Sequence, residues 1–534
     1  MSTRLKRAPK SVGRGKGIQL GPWVGMRNLQ DPTAASPEFA YMLRNVYSLD
    51  PESRARLEGR PGFAQMGAQL GTAGRRTPQL FHQFTTLAGT RHTIAIVGGY
   101  FYTLNWGTST WTEVVTNANL ATASITLSQT ARCYAVTFAN TVVISDGTNK
   151  PWTWDGTSGA GGLVSLTNAP AMFGQPVVHY GKLFGIVAAT RSQLQWSEEN
   201  AANTGYTAGG YNNAWTLGQT DTDALYRLLP SNELLYVFRA RSMTAIAGEV
   251  TPNFSSTGTR EAISSTRGTT SPASVFFEGS NVVFADADGQ PCIMQPGGAP
   301  VSYWEFFNDT LETMDPASIH EIEGFYDPTL ELSRIGFQSS GAAADRDVQM
   351  ALYPSHEGYI AAGIFDGYEF GRIDVVENAD GEPRVLHGDS SGNVYVHGVP
   401  DGTTWSDDGE LIRHEIVTGL ENFTDDVEWH YGRLDYSIVA KTDLTNVAFS
   451  FITAYGESVA IEDDQSGIFP LWDVMQWDVD VWAAPTLVKH GAIGIDEIGN
   501  YIGVRVVHST LNERFGLLSM TLRTRPVDDL MEAP

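Results

Sequence analysis

The sequence predicts an all-β protein: an irregular β-propeller of six to seven blade-like units, with an additional C-terminal β domain and a flexible N-terminal arm. Three observations carry this. Ser271 to Met294, SPASVFFEGSNVVFADADGQPCIM, reads strand, turn, strand, turn, strand, with apolar VFF and VVF runs broken at Gly279-Ser280-Asn281 and closed by Asp288-Gly289. Gly and Asn accept the positive φ of hairpin turns, and Asp-Gly suits turns whose twist matches the strands. Similar turns recur near Gly98-Gly99, Ala139-Asn140, Gly181, Ser231-Asn232, Gly341 and Ser391-Gly392, a spacing of about 40 to 60 residues that suits stacked antiparallel units. After Trp405 the pattern changes to longer strands alternating apolar with polar residues, the mark of sheets with one wet face.

In chain order, residues 1–22 lack periodicity and read as a flexible basic arm. They carry Arg4, Lys6, Arg7, Lys10, Arg14 and Lys16 without an acid in the first 16 positions. Residues 23–80 form an N-terminal docking segment in which Pro37 to Asn45, PEFAYMLRN, predicts a helical turn or two. A Pro-Glu-Ser turn and the Arg60-Pro61-Gly62 bend follow. Residues 81–410 hold the repeating β units. Trp106, Trp111, Trp152, Trp154, Trp196 and Trp215 recur within the early ones, as aromatics that pack between neighbouring sheets do. A glycan-stacking role is the alternative for them. Gly398 to Gly409 is a connector rich in Gly, Pro, Asp and Ser, and 411–534 form a β-sandwich-like C-terminal domain.

A chain of 534 residues exceeds what one core usually supports, so two or more domains are expected. Net charge is −25, from 60 acidic against 35 basic residues, which argues against a sequence-reading nucleic-acid binder. Cys133 and Cys292 stand singly in apolar contexts and read as small buried hydrophobes. No run of 18 apolar residues predicts a membrane span, and the basic N-terminus lacks the apolar stretch of a signal peptide, so folding in the cytoplasm is expected.

Catalytic patterns are sparse. Gly388-Asp389-Ser390-Ser391-Gly392 matches G-x-S-x-G, but a nucleophile elbow needs a strand feeding a helix, and NVYVHG after it is β-prone. Asp286, Asp288 and Gly289 resemble the start of a calcium loop without its closing Glu, and turn formation explains them more simply. There is no H-E-x-x-H, no Cys/His cluster and no phosphate loop. The sequence therefore predicts no catalytic residues, no metal and no cofactor.

The order of segments is similar to one family. NVYSLDPESRARLEGRPGF (45–63), LQWSEENAANTGY (194–206) and NAWTLGQTDTDALYRLLPSNELLYVFRARSMTAIAGE (213–249), then APVSYWEFFND, HGDSSGNVYVHG and DDGELIRHEIVTGL, together resemble the tail nozzle or hub proteins of short-tailed bacteriophages, tail tubular protein B. The resemblance implies a structural virion protein without catalysis. It would form a homohexameric ring below the portal and adaptor rings, meeting tail fibre, spike or needle proteins, with genomic DNA passing through its lumen. An acidic wall suits that task because it offers phosphates no counterion-releasing contacts. On this reading the basic arm docks on a neighbour, and Arg44, Asn45, Tyr47, Arg54, Arg60, Pro61 and Gly62 lie near ring contacts. The alternatives are a receptor- or glycan-binding propeller and, less favoured, a propeller hydrolase.

Overall fold

The computed structural model describes residues 16–21, 23, 25–28, 39–48, 56–206, 214–216, 223–250, 259–342, 345–355, 358–400, 402–422, 428–440, 446–464 and 487–527. The chain forms two compact units. One comprises residues 1–60, 355–364 and 410–534, and the other residues 61–354 and 365–409. Both are built from β-strands.

The larger unit is a succession of seven antiparallel sheets. The first runs Pro78–Thr85, Arg91–Val97, Tyr100–Asn105 and Thr110–Val115, and the second Tyr134–Phe138, Thr141–Ser145, Trp152–Trp154 and Leu163–Ser165. The third holds Met172–His179, Lys182–Val187 and Gln193–Glu198, with Ala201–Gly205 and Ala214–Thr216 beside the last. The fourth is Leu225–Pro230, Leu234–Arg239, Met243–Ala247 and Thr259–Ser264, and the fifth Phe276–Glu278, Asn281–Ala285, Pro291–Met294 and Val301–Ser302. The sixth holds Glu323–Asp327, Leu332–Phe337 and Arg346–Ser355, continued by residues 365–370. The seventh takes Arg372–Glu377, Pro383–Gly388 and Val394–His397 from one end of the unit and Phe63–Gln65 from the other, paired as His397↔Phe63, Val396↔Ala64 and Tyr395↔Gln65.

Tight turns make these hairpins. Ala139 and Asn140 have φ of 45° and 60° and Gly98 and Gly99 of 58° and 81°, the left-handed pair that a two-residue connection needs. The segment from Ser271 to Met294 has its strands in the predicted places, with Phe276↔Val283 and Phe284↔Cys292 in register. Its first residues differ, because Pro272–Ser274 form a short 3-10 turn.

Aromatic side chains fill the space between successive sheets. Phe101 of the first sheet meets Trp154 of the second at 4.9 Å and Trp152 at 5.8 Å between ring centroids, both in edge-on geometry. Trp152, Trp154 and Trp196 are 1% exposed, so they pack the core and offer no sugar-stacking face. Trp106 and Trp111 pack at the joint of the first and seventh sheets, and their indole N–H groups donate to Thr93 Oγ1 and the Met66 carbonyl. Trp215 packs against the core of the third and fourth sheets.

The smaller unit holds two groups of paired strands. In one, the order is Val46–Ser48, Leu57–Gly59, Phe515–Pro526, Trp429–Ala440 and Leu487–Gly499, with Lys16–Leu20 also beside Phe515–Pro526. In the other, Gly25–Met26, Phe39–Arg44, His414–Thr418, Tyr501–His508 and Asn446–Thr453 follow one another. Tyr436 and Phe449 meet across the two groups at 4.6 Å. Residues 410–534 thus share their sheets with residues 16–59 and do not stand alone.

Two sequence expectations are corrected here. Phe39–Arg44 is a strand, not a helical turn: it pairs with Gly25–Met26 on one side and His414–Thr418 on the other, and two ladders outweigh a weak helical preference. Lys16–Leu20, expected within the flexible arm, is a strand running antiparallel to Met520–Thr524 with Leu20 buried. Arg4, Lys6, Arg7, Lys10 and Arg14 lie outside the described residues, as does Arg54.

Candidate functional site

The first strand of each of the seven sheets contributes to the wall of one cavity of about 410 Å³. Leu80, Tyr134, Gln175, Arg227, Phe276, Phe325 and Ile373 come from sheets one to seven in turn. A second cavity of about 470 Å³ shares Arg132, Tyr134, Pro272, Ala273 and Arg372 with it and adds Phe173, Arg191, Tyr226 and Arg346. Such volumes are in the range that holds a small ligand, about 300–1,000 Å³. The arrangement follows from topology: when short sheets repeat with their first strands inward, residues far apart in sequence meet at one place.

The chemistry there opposes the charge of the whole chain. Arg132, Arg191, Arg227, Arg346 and Arg372 line the two cavities against Glu321, Glu323 and Asp374, a local positive excess in a protein of net charge −25. Glu323 is the anchor of the cluster. Arg132 Nη2 donates to its Oε1 at 2.5 Å, and Arg346 and Arg372 approach its Oε2 at 3.8 and 4.0 Å. Burial raises its pKa, but the charges of Arg132, Arg346 and Arg372 outweigh that and hold it below the ordinary carboxylate range. Arg346 and Arg372 each also donate to the Gly371 carbonyl at 2.6 Å.

Arg227 differs from these. It is 7% exposed, and its Nε and Nη1 are buried without a hydrogen-bond partner. Burial brings its pKa down to about 10, with Tyr134 opposing and Arg132 reinforcing the change. Arg191 sits in the corner made by two mutually perpendicular aromatic rings, its guanidinium carbon 4.0 Å from the centroids of both Phe173 and Tyr226, and its Nε and Nη2 also lack partners. A buried guanidinium with unmet donors is costly unless something accepts from it.

Two further titratable groups face the first cavity. Burial pushes the Asp374 carboxyl up to about 7, and the nearby Glu323 adds to this against the Val375 amide and Arg132. Burial also lowers His82 to about 4, so the imidazole is neutral at pH 7. Glu323 is thus ionised at neutral pH and paired with arginines, while Asp374 is pushed up to about 7, so the cavity drives the pKa values of the two carboxyl groups apart.

None of these residues was singled out from sequence. Arg227 and Arg372 sit in ordinary strand contexts and Arg132 just ahead of one, and only their placement on or beside first strands could have hinted at convergence. The residues that were singled out lie elsewhere. Asn45 adopts φ 55°, accepts from Arg60 Nε at 2.8 Å and donates to the Arg413 carbonyl at 3.0 Å. Tyr47 and Arg60 are 1% and 2% exposed. All three side chains are buried within their own unit. Arg44 is half-buried and Pro61 is buried. At Gly62, a Cβ would fall 2.1 Å from the Ser406 carbonyl oxygen, so the bend depends on having no side chain there.

Ser390 lies in the hairpin between Pro383–Gly388 and Val394–His397, its amide donating to Asp345 at 2.8 Å. Asp286 is occupied as a turn former: its carboxylate accepts from the Asp288 and Gln290 amides and from Arg267 Nη1, each at 3.0 Å. Among the described residues no group of three His, Cys, Asp or Glu could hold a metal ion, and no helix is long and apolar enough to cross a membrane. Cys133 and Cys292 are buried free thiols, with burial raising both pKa values.

No protein-family model and no curated protein matches the chain. Solved structures with local similarity include the N-terminal domain of Nup159, at 12% identity over 64% of this chain and 95% of that one, with a TM-score of 0.36. A glycoside hydrolase is 9% identical over 86% of this chain and 99% of that one, with a TM-score of 0.27. Hsv2 of Kluyveromyces lactis is 10% identical over 55% and 95%, with a TM-score of 0.30. Scores this low assign the chain to no family.

Proposed function

We propose that this protein is a recognition module, not an enzyme: a seven-bladed β-propeller whose axial cavity receives part of a glycan or glycosylated receptor, joined in one chain to a second β unit. One observation carries this reading, the polar cavity to which the first strand of all seven sheets contributes. Tyr134, which lines both cavities, and Phe173 and Tyr226 of the second add aromatic side chains to the polar groups, the mixture that orients a small ligand. The turn position of Ser390 supports binding without turnover. The test is a glycan array with the purified full chain, followed by incubation of each bound glycan and chromatography of the products. Retention of defined glycans without cleavage is expected. Cleavage would replace recognition by hydrolysis, and no retention of any glycan would remove the reading.

A second reading is supported by the resemblance to tail nozzle proteins and by one surface. Trp429–Ala440, Leu487–Gly499 and Phe515–Pro526 are long paired strands in which buried and more exposed positions alternate over much of their length, apart from buried runs such as Phe515–Leu517. Arg433, Asp435, Ser437, His490, Thr521 and Arg523 line one wet recess on them. Asp435 accepts from both Arg433 and Arg523, at 2.6 and 2.7 Å. A hydrophilic wall of this kind suits a subunit of a homohexameric virion tail ring that bounds a DNA passage and meets adaptor, fibre or needle proteins. Mass photometry with electron cryomicroscopy tests this: a six-fold ring with an open lumen is expected, and a monomer that stays monomeric with portal and adaptor proteins present would end it.

A further inference from the structure

We propose that the group received at the axial cavity is an oxyanion carried on a saccharide, a carboxylate or a phosphate, accepted by Arg227 and Arg191. This rests on the recognition reading and names the class of ligand. Arg227 is buried with Nε and Nη1 unpaired on the wall of the first cavity, and Arg191 has Nε and Nη2 unpaired on the wall of the second. Glu323 does not meet their need, because it is already held by Arg132 and approached by Arg346 and Arg372. Arg132 Nε and Arg372 Nε also lack hydrogen-bond partners, but those side chains share Glu323 as counter-ion, whereas Arg227 and Arg191 have no carboxylate within salt-bridge distance among the described residues.

A guanidinium presents parallel donors that match the two oxygens of a carboxylate or phosphate. Arg191 packs into the corner of the Phe173 and Tyr226 rings, which limits the side-chain freedom it loses when it binds. Charge on the remainder of the chain, strongly negative, would repel such a ligand from most of the surface and leave the axial site as the favourable destination. The hydroxyls of a neutral sugar can accept from these donors, but they bring no charge to offset the two guanidinium groups.

Isothermal titration calorimetry with three probes, glucuronate, glucose 6-phosphate and glucose, on wild type, Arg227→Met and Arg227→Lys tests this. We expect at least tenfold tighter binding of one or both anionic probes than of glucose. In Arg227→Met that preference falls at least tenfold, while in Arg227→Lys part of it returns. Whichever anion binds more tightly identifies the source of the oxyanion. Thermal melting without ligand serves as the fold control, and Arg227→Met is expected to melt no lower than wild type, because it removes a buried unpaired charge. If Arg227→Met fails to fold, Arg191→Gln with the same probes takes its place. Glucose binding as tightly as the anions, or an anion preference unchanged in these variants, overturns the inference while leaving glycan recognition standing. Absence of binding by all three probes, when the array retains only neutral glycans, overturns it as well.

Discussion

Phe63 is where the two ends of the larger unit are joined, and its removal tests whether that joint holds the seventh sheet. The side chain is 5% exposed and lies 4.6 Å from His387, 5.0 Å from Tyr368 and 5.2 Å from Tyr395 between ring centroids. Its strand contributes three paired residues to Val394–His397. Truncating a buried Phe to Ala loses both transfer energy and packing, ~3–5 kcal/mol. Three backbone pairings cannot hold the strand against that loss, so Phe63→Ala should release Phe63–Gln65 before the rest of the unit opens. A loss of ~4 kcal/mol corresponds to roughly a thousandfold rise in local opening. Native-state hydrogen exchange on the amides of Val394–His397 reads this directly. Phe63→Leu, which keeps most of the volume, should cost about 1 kcal/mol and less than tenfold in protection. Protection in Phe63→Ala within tenfold of wild type would refute the role of this joint. So would an equal loss in Tyr134–Phe138, which belongs to another sheet.

Two other perturbations follow from buried charge. Arg334 is 1% exposed and serves three acceptors at once, Asp327 at 2.8 Å, Gln349 at 2.7 Å and the Tyr368 hydroxyl at 2.8 Å; Arg334→Met should destabilise the larger unit by ~3–5 kcal/mol because Asp327 is left buried and unpaired. Urea unfolding checks this, and an Arg334→Lys variant as stable as wild type would contradict the need for a planar fork. In the smaller unit, burial lowers His508 to about 3, and burial, then His508 and Arg60, hold His414 well below its ordinary value. Both are neutral when folded and take up protons near pH 6.5 when unfolded, so their contribution is complete above pH 6.5 and lost as pH falls from 6.5 towards 3. At pH 5 His508 alone should cost ~2 kcal/mol. His508→Phe should make urea stability fall less between pH 7 and pH 5, and an unchanged fall would discard this linkage.

The alternation of strands and turns was written into the sequence. Gly98-Gly99, Ala139-Asn140 and Gly279 reverse the chain where expected because positive φ is a local demand that few residue types meet, and hairpins need only near neighbours. The buried state of Trp152, Trp154 and Trp196 was legible too, since large aromatics repeated once or twice per unit have few other places to go. Phe39–Arg44 was not, because the ladders that make it a strand come from Gly25–Met26 and from His414–Thr418, and the second lies hundreds of residues away. Nor was the pairing of Phe63–Gln65 with Val394–His397, whose partners are equally distant. The arginine cluster depended on tertiary structure entirely: Arg132, Arg227, Arg346 and Arg372 each look like a polar residue on a strand, and their charges interact only because separate sheets bring them together. Local backbone preference determines most hairpins of this protein, and the meeting of separate sheets decides which chemistry they share.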